Sequence, residues 1–229
     1  MLPTLVASAT RSRHLAQRIL GFRLPPIGEA EHYFDVTTLG LLFYLQANLE
    51  PGQRIVDVGA GSVAAIGLWC WHRRNSQVTA IEPNASVAGR ARETIAINGA
   101  PIDVLETSGL AGAPPDFDLA IFNPPYVPTS VGEGRQLPAS HRSQWDGGPD
   151  GSRVLVEFLE ALGASTNGPR RALIGANRRH LPRELVQERT SGISSVELQE
   201  TSKNRWLPVD LYVFESTNGP SARTSRPLE

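Results

Sequence analysis

The chain has few residues of several kinds, and each scarcity excludes a class of protein. Its only cysteine is Cys70, so an internal disulfide framework and a multi-cysteine metal site are both excluded. The formal net charge is -1, which provides no overall basic field for holding nucleic acid. No apolar run is long enough to cross a membrane. We therefore expect a protein that is not held in a membrane, and we predict no metal site.

The composition that remains is typical of one α/β domain. The chain has 229 residues, of which 40% are hydrophobic, and this is enough for a proper core. Residues 1–28 contain four arginines and no acid, a composition that transit peptides share. We interpret them instead as part of an amphipathic helical segment, 1–33, and predict a cytoplasmic protein. A single domain is predicted over 34–215, followed by a polar, flexible tail over 216–229.

Short apolar runs alternate with segments of helical periodicity, which predicts right-handed β-α-β units. A helix is predicted from Val36, with Asp35 and Thr37 as candidate caps. The last apolar run alternates in a way that favours an antiparallel strand. The sequence thus predicts a Rossmann-like, doubly wound α/β fold with a mostly parallel seven-stranded sheet and a last antiparallel strand. The predicted strands are 54–58, 78–81, 102–105, 119–122, 172–175, 196–198 and 208–214.

Two predicted strands end in residues suited to a nucleoside ligand. The first ends with Asp57 and Val58 and is followed by Gly59 and Gly61, which allow a tight turn and a close approach of the backbone to a ligand. Glu82 ends the second strand, where an acid can accept hydrogen bonds from both ribose hydroxyls. Because open α/β sheets bind ligands at the carboxyl ends of their strands, these residues predict a cofactor site.

The fourth strand stops at Asn123-Pro124-Pro125-Tyr126, because proline cannot donate to a sheet ladder. Asn123 and the rigid carbonyl of Pro124 offer two acceptors, which match the two N–H bonds of a planar amino group. Tyr126 could stack on that flat group. The plainer alternative is a Pro-Pro turn with a capping asparagine, and the tetrapeptide alone does not decide between them.

The cofactor could be a dinucleotide or S-adenosylmethionine. A dinucleotide fingerprint requires glycine or alanine at the position of Ala64, so this position does not decide. The fourth strand does, since hydride transfer needs no clamp for an amino group and methyl transfer to nitrogen does.

These features, with the Gly147-Gly148 turn, resemble the class I S-adenosylmethionine-dependent methyltransferases, and most closely the HemK-type N5-glutamine methyltransferases. The resemblance covers about 34–215. It implies S-adenosylmethionine as cofactor and a protein or peptide glutamine, in a release-factor-like substrate, as methyl acceptor. It implies a catalytic role for Asn123, Pro124, Pro125 and Tyr126. It implies cofactor binding by Asp57, Gly59, Gly61, Glu82, Ser108 and Asn123.

The chain departs from the family pattern at three places. Val63 stands where the first loop usually has glycine. Thr107 and Ser108 stand where an acid usually follows the third strand, with Glu106 one residue away. Only about thirty residues precede the core, which is too few for the helical substrate domain of bacterial release-factor methyltransferases, a domain that shorter family members do without.

Two alternatives stay open. The Asn-Pro-Pro-Tyr motif is shared with enzymes that methylate exocyclic base nitrogens, so a methyltransferase for RNA or DNA bases is the second hypothesis. The third is a non-catalytic binding module on the same scaffold.

The long stretch 127–149, which has no clear periodicity, is predicted to be a mobile loop that forms part of the substrate wall. The oligomeric state is not predicted.

Overall fold

The computed structural model describes residues 10–28, 32–164 and 170–217. Strands and helices alternate along the chain as the sequence predicts. The strands are β1 (Arg54–Val58), β2 (Gln77–Ile81), β3 (Asp103–Leu105), β4 (Leu119–Phe122), β5 (Arg171–Asn177), β6 (Val196–Lys203) and β7 (Val209–Ser216). The α-helices are α1 (Arg13–Leu20), α2 (Val36–Asn48), α3 (Ala65–Arg74), α4 (Ala85–Ile97), α5 (Thr129–Gly134), α6 (Arg142–Trp145), α7 (Arg153–Gly163) and α8 (Arg183–Thr190).

The seven strands form one sheet in the order β3-β2-β1-β4-β5-β7-β6. Strands β1 to β5 pair in parallel, and β7 runs antiparallel to both β5 and β6. This order confirms the predicted doubly wound sheet with an antiparallel last strand. Strands β2 and β3 are added on one side of β1, and β4 and β5 are added on the other side. This change in the order of the strands opens a ligand crevice at their carboxyl ends, between β1 and β4.

The central strands β1, β4 and β5 are buried on both faces, which explains why they are mostly apolar. Helix α2 packs on one face through Leu41 and Leu45. Helix α7 covers the other face, where Phe158 meets the β4 side chain Phe122 with 4.9 Å between ring centroids. Both layers place helix termini near the crevice.

The N-terminal segment shares the core of the sheet. Leu20 and Leu24 are fully buried in the same cluster as the side chains of α2 and β1. The amide of Asn98, at the end of α4, exchanges two hydrogen bonds with the backbone of Arg23, at 2.9 and 2.8 Å. The segment is thus packed on the domain, while the domain boundary after residue 33 stays a prediction.

The structure differs from the sequence prediction in detail. The stretch 127–149 contains α5, a 3-10 turn (Ala139–His141) and α6. These short elements are formed by backbone hydrogen bonds, and no apolar stripe marks them in the sequence. Strand β7 extends to Ser216, whose hydroxyl accepts a 2.9 Å bond from the Arg170 amide. Residues 218–229 of the predicted tail lie outside the described residues. None of the helices in the described part of the chain combines the length and apolarity required to cross a membrane.

Candidate active site

A cavity of about 1040 Å³ lies at the carboxyl ends of β1, β2 and β4. The segment before α2, the turns after β1, β2, β3 and β4, and the side of α7 line it. Its volume is at the upper end of the range of about 300–1000 Å³ that is usual for ligand sites, which leaves room for a cofactor and part of a second substrate.

The turn after β1 is open toward the cavity. Gly59 and Gly61 both have left-handed backbone angles, with φ of 65° and 66°. A methyl group added at Gly61 would meet no atom within 4 Å, so the cavity begins at its backbone. Val63 does not need glycine, since the left-handed residue is the next one, Ala64, at φ 46°. The buried side chain of Val63 forms part of the cavity wall.

Glu82 joins the first two turns. Its two carboxylate oxygens accept hydrogen bonds from the backbone amides of Gly61 and Asn84, each at 3.1 Å. The side chain is 8% exposed and lines the cavity, and its burial raises the pKa of the carboxyl group. Each oxygen has a further lone pair, so Glu82 can hold the loop and still accept from a ligand hydroxyl.

Asp57 lies deeper than Glu82. Its Oδ2 accepts a 2.8 Å hydrogen bond from the amide of Gly67, which fixes the first turn of α3. Burial raises the pKa of Asp57 to about 7, against the opposing effect of the Gly67 bond, and the charge of Glu82 adds to the rise. The residue lines the cavity, but its main contact is with the protein backbone.

The turn after β3 closes the far side of the cavity. Ser108, Gly109, Leu110 and Ala111 line it together. Glu106 is directed elsewhere, because its carboxylate accepts a 2.6 Å bond from Arg92 on α4. The structure therefore brings Ser108 to the cavity wall, whereas Glu106 is not among the lining residues.

Asn123 lines the cavity with an acceptor that has no partner. Its Nδ2 donates to Oδ1 of Asp35 at 3.1 Å and to the hydroxyl of Thr38 at 3.4 Å. A carboxylate can only accept, so the side-chain nitrogen must face Asp35 and the side-chain oxygen must face away. That buried Oδ1 has no hydrogen-bond partner. A buried acceptor left unpaired costs about 1–3 kcal/mol, which a ligand N–H would recover.

The other residues of the Asn-Pro-Pro-Tyr segment either line the cavity or support the end of β4. Pro125 lines the cavity, and Pro124 is buried behind it. The hydroxyl of Tyr126 bonds to Thr37 at 2.7 Å and to Oδ2 of Asp35 at 3.3 Å. The ring of Tyr126 stacks on His180, with 6.4 Å between centroids, and Tyr126 is not among the lining residues. The structure thus shows Tyr126 as a support for the strand end.

The stretch 127–149 is tied down at Asp146. This carboxylate accepts from the hydroxyl of Thr129 at 2.6 Å, the amide of Gly148 at 2.9 Å and Arg142 at 2.7 Å. These bonds lower the pKa of Asp146 to about 2, with the Thr129 bond as the largest cause. Ser143, Gln144 and Asp146 line the cavity. The stretch 127–149, which we call the cover, is therefore held in part by the carboxylate of Asp146.

The glycine-rich turn has a steric purpose. At Gly151, φ is 88°, and an added methyl carbon would lie 2.4 Å from the carbonyl oxygen of Tyr126. No side chain fits that contact, so the turn can lie directly against the end of the Asn-Pro-Pro-Tyr segment only with glycine at this position.

Sequence reasoning missed three residues that reach the site. Asp35 and Thr37 were predicted only as helix caps, and Thr38 was not considered. Asp35 does cap α2, through a 2.7 Å bond from the amide of Thr38, and its remaining lone pairs hold Asn123 and Tyr126. A signal existed, since Asp35 precedes a helix whose apolar face packs on the same strands, but the contact joins residues 88 positions apart.

Comparison with known proteins finds similarity to methyltransferases. The profile of the methyltransferase small domain matches residues 30–134. A putative protein N5-glutamine methyltransferase of Methanocaldococcus jannaschii is 27% identical over 108 residues, which are 47% of this chain and 53% of that protein. The release factor glutamine methyltransferase of Deinococcus radiodurans is 33% identical over 145 residues, which are 61% of this chain and 51% of that protein.

The chain spans about half the length of these curated relatives. Among solved structures, a methyltransferase from Pyrococcus furiosus is similar with a TM-score of 0.65 and 16% identity, over 91% of this chain and 94% of that one. At that identity the likeness concerns the fold. The sheet order and the profile match agree: the chain is similar to the methyltransferase small domain over residues 30–134, and its fold is similar to that of the solved methyltransferase.

Proposed function

We propose that this protein transfers a methyl group from S-adenosylmethionine to the side-chain amide nitrogen of a glutamine in a protein. The observation that carries the proposal is that Asn123 lines the cavity and its buried Oδ1 has no hydrogen-bond partner, while Asp35 holds the amide nitrogen. Such an acceptor is matched by an N–H donor on a substrate, and a planar amide carries two of them.

The cavity fits the cofactor on three counts. Open space at Gly61 allows a ligand to approach the backbone. Glu82 has lone pairs left for the ribose hydroxyls. The wall of Ser108, Leu110 and Ala111 with Phe122 is apolar enough for a base. Asp57 shapes the turn that carries the glycines, and Asn123 lies where cofactor and acceptor would meet.

The chemistry requires placement more than acid or base catalysis. Bound S-adenosylmethionine supplies a sulfonium methyl group, and the N–C bond forms as the C–S bond breaks, which leaves a neutral thioether and moves positive charge to nitrogen. Asn123 and the Pro124 carbonyl accept from the two N–H bonds and hold the nitrogen at attack distance, about 3–3.5 Å. Both acceptors stabilise the growing charge more strongly in the transition state than in the ground state. The surplus proton then leaves the product nitrogen for solvent.

Two observations support a glutamine rather than another amino group. Both curated relatives are named as glutamine methyltransferases. The glycine-rich turn that follows the tetrapeptide packs its backbone on Tyr126, so the two segments that resemble the glutamine branch form one unit.

The test uses tritium transfer from labelled S-adenosylmethionine to an extract of cells that lack the protein. The labelled material is divided, and one part is digested to amino acids and the other to nucleosides. Mass spectrometry should find N5-methylglutamine in the first part. Label found only in methylated bases would contradict the glutamine proposal while supporting methyl transfer to an amino group.

A second candidate, an RNA base methyltransferase, is favoured by one surface. Exposed cations Arg135, Arg179, Lys203 and Arg205 surround the strand ends of β5 and β6, and Trp206 beside them is 80% exposed. The turn that carries Trp206 is joined to this edge, because Arg178 donates to the carbonyls of Asn204 and Leu207. An exposed aromatic ring among arginines suits base stacking and phosphate contacts.

This candidate has its own test. If RNA is the acceptor, the double substitution Arg205→Ala with Trp206→Ala should lower the transfer of label to RNA at least tenfold and flatten its salt dependence. If protein is the acceptor, label should enter protein at a rate that depends weakly on salt.

A further inference from the structure

We propose that Asp35 is a positioning residue for methyl transfer, which fixes the orientation of the Asn123 amide and strengthens its free oxygen as an acceptor. The proposal rests on the proposed function, since it assigns a task to Asn123. Asp35 is one of the side chains that connect the start of α2 with the end of β4, and its contacts with Asn123 and Tyr126 contribute to the argument in different ways.

The first contact fixes orientation. An asparagine amide can be turned by 180° with little change in shape, and the wrong orientation would present Nδ2 to the substrate amide, donor against donor. The 3.1 Å bond from Nδ2 to the Asp35 carboxylate removes that alternative, because Oδ1 in its place would face a negative charge. The hydroxyl of Thr38, 3.4 Å from the same nitrogen, also donates to Asp35 at 2.9 Å and so accepts from Asn123.

The contact between Asp35 and Asn123 also has an electrostatic effect. A hydrogen bond to an ionised acceptor is about twice as strong as one between neutral groups, and chains of such bonds polarise each other. The negative charge of Asp35 draws the Nδ2 hydrogen and moves electron density in the amide toward Oδ1. The positive charge that develops on the substrate nitrogen then faces a stronger acceptor than an isolated amide would provide.

The second contact joins Tyr126 to the same carboxylate. Oδ2 of Asp35 accepts from the hydroxyl of Tyr126 at 3.3 Å, and that hydroxyl also contacts Thr37 at 2.7 Å. Both ends of the Asn-Pro-Pro-Tyr segment are thus held by one residue, the N-cap of α2. The two prolines between them have fixed φ angles, so little freedom remains in the acceptor carbonyl of Pro124.

Asp35 is also the N-cap of α2, and the test must separate the two roles. Serine caps a helix about as well as aspartate, because its hydroxyl accepts from the same amide, but it is too short to reach Asn123. Asp35→Ser should therefore keep the melting temperature within a few degrees and the S-adenosylmethionine dissociation constant within about threefold. Its kcat should fall about 10- to 100-fold, the range seen when a supporting residue behind a ligand-binding group is lost.

Combining Asp35→Ser with a second substitution gives a measurement that a capping role alone would not explain. In Asn123→Asp, two carboxylates would face each other across the 3.1 Å contact, and removing one of them should help. Asp35→Ser is thus expected to slow the otherwise unchanged protein but to raise both the melting temperature and the transfer rate of Asn123→Asp. If Asp35 were only a helix cap, the serine would change both quantities little, and in the same direction in both backgrounds.

The outcomes separate this proposal from the proposed function. If Asn123→Ala is inactive and Asp35→Ser transfers label at the unsubstituted rate, the role of Asp35 is wrong and the function stands. If Asn123→Ala is fully active, the function itself is wrong. If Asp35→Ser does not fold, Asp35→Asn, which keeps a capping oxygen and loses the charge, decides: a rate equal to that of the unsubstituted protein overturns the electrostatic role.

Discussion

At the scale of single residues, the proposed function divides the sheet edge between two ligands. In that proposal Gly61 and Glu82 meet the cofactor, and Asn123 meets the methyl acceptor. The division has a physical cause, since parallel strands β1, β2 and β4 deliver their last residues to one edge from different crossovers. Substitutions on the two sides should consequently change different measured quantities.

Glu82→Ala should weaken S-adenosylmethionine binding by about 1–3 kcal/mol, the range for hydrogen bonds to charged groups. The loss has two parts, because Glu82 meets the ligand hydroxyls and also holds the amide of Gly61. Calorimetric titration measures it. Glu106→Ala is the matched control, since this acid follows the neighbouring strand but bonds to Arg92. Equal affinities in the two variants would rule out the ribose role of Glu82.

Asp57 should make stability depend on pH. Burial raises the pKa of Asp57 from 3.8 to about 7 in the folded protein. The folded state therefore binds the proton more tightly, so this residue's contribution is present below pH 4 and is lost as pH rises to about 7. The loss is on the order of 4 kcal/mol. In ligand-free protein, Asp57→Asn should gain stability over the unsubstituted chain between pH 5 and pH 8. A difference that stays constant over that range would contradict the assignment.

At the scale of elements, the regular parts of the fold were predictable, while the side-chain contacts of the site were only partly so. Strands such as Leu119–Phe122 are uniformly apolar and end at prolines, so local patterns define them. Helices α5 and α6 have four to six residues and no apolar stripe, so they leave no periodic signal. The Asp35 contact depends on packing of α2 over the sheet, which no local pattern reports.

The cover formed by 127–149 should loosen when Asp146 is removed. Asp146→Ala deletes three hydrogen bonds, one to a backbone amide, and should lower kcat/KM about tenfold through poorer placement of the acceptor. Hydrogen exchange at Thr129 and Gly148 should accelerate. Glu133→Ala is the control, because Glu133 pairs with the same Arg142 at 3.3 Å on an exposed surface. Unchanged exchange in Asp146→Ala would show that other contacts hold the cover.

At the scale of the whole molecule, the N-terminal helix should stabilise the domain as part of one core. Leu20 on α1 is fully buried against that core. Leu20→Ala should thus lower the free energy of unfolding by about 2–5 kcal/mol in a single transition. Leu15→Ala changes the same helix at a side chain that is 42% exposed and should have little effect. A separate early transition in Leu20→Ala would indicate an independent N-terminal unit.

The central claim is that Asn123 holds the methyl acceptor, and one comparison tests it most directly. Transfer of label from S-adenosylmethionine is measured for Asn123→Ala and for Asn177→Ala, whose asparagine ends the adjacent parallel strand but accepts from the Arg179 amide. Asn123→Ala should bind the cofactor almost normally and lose about 10²–10³ in turnover, as loss of one preorganised partner does. Asn177→Ala should retain its turnover. Equal turnover in the two variants, with cofactor affinity unchanged, would contradict the claim.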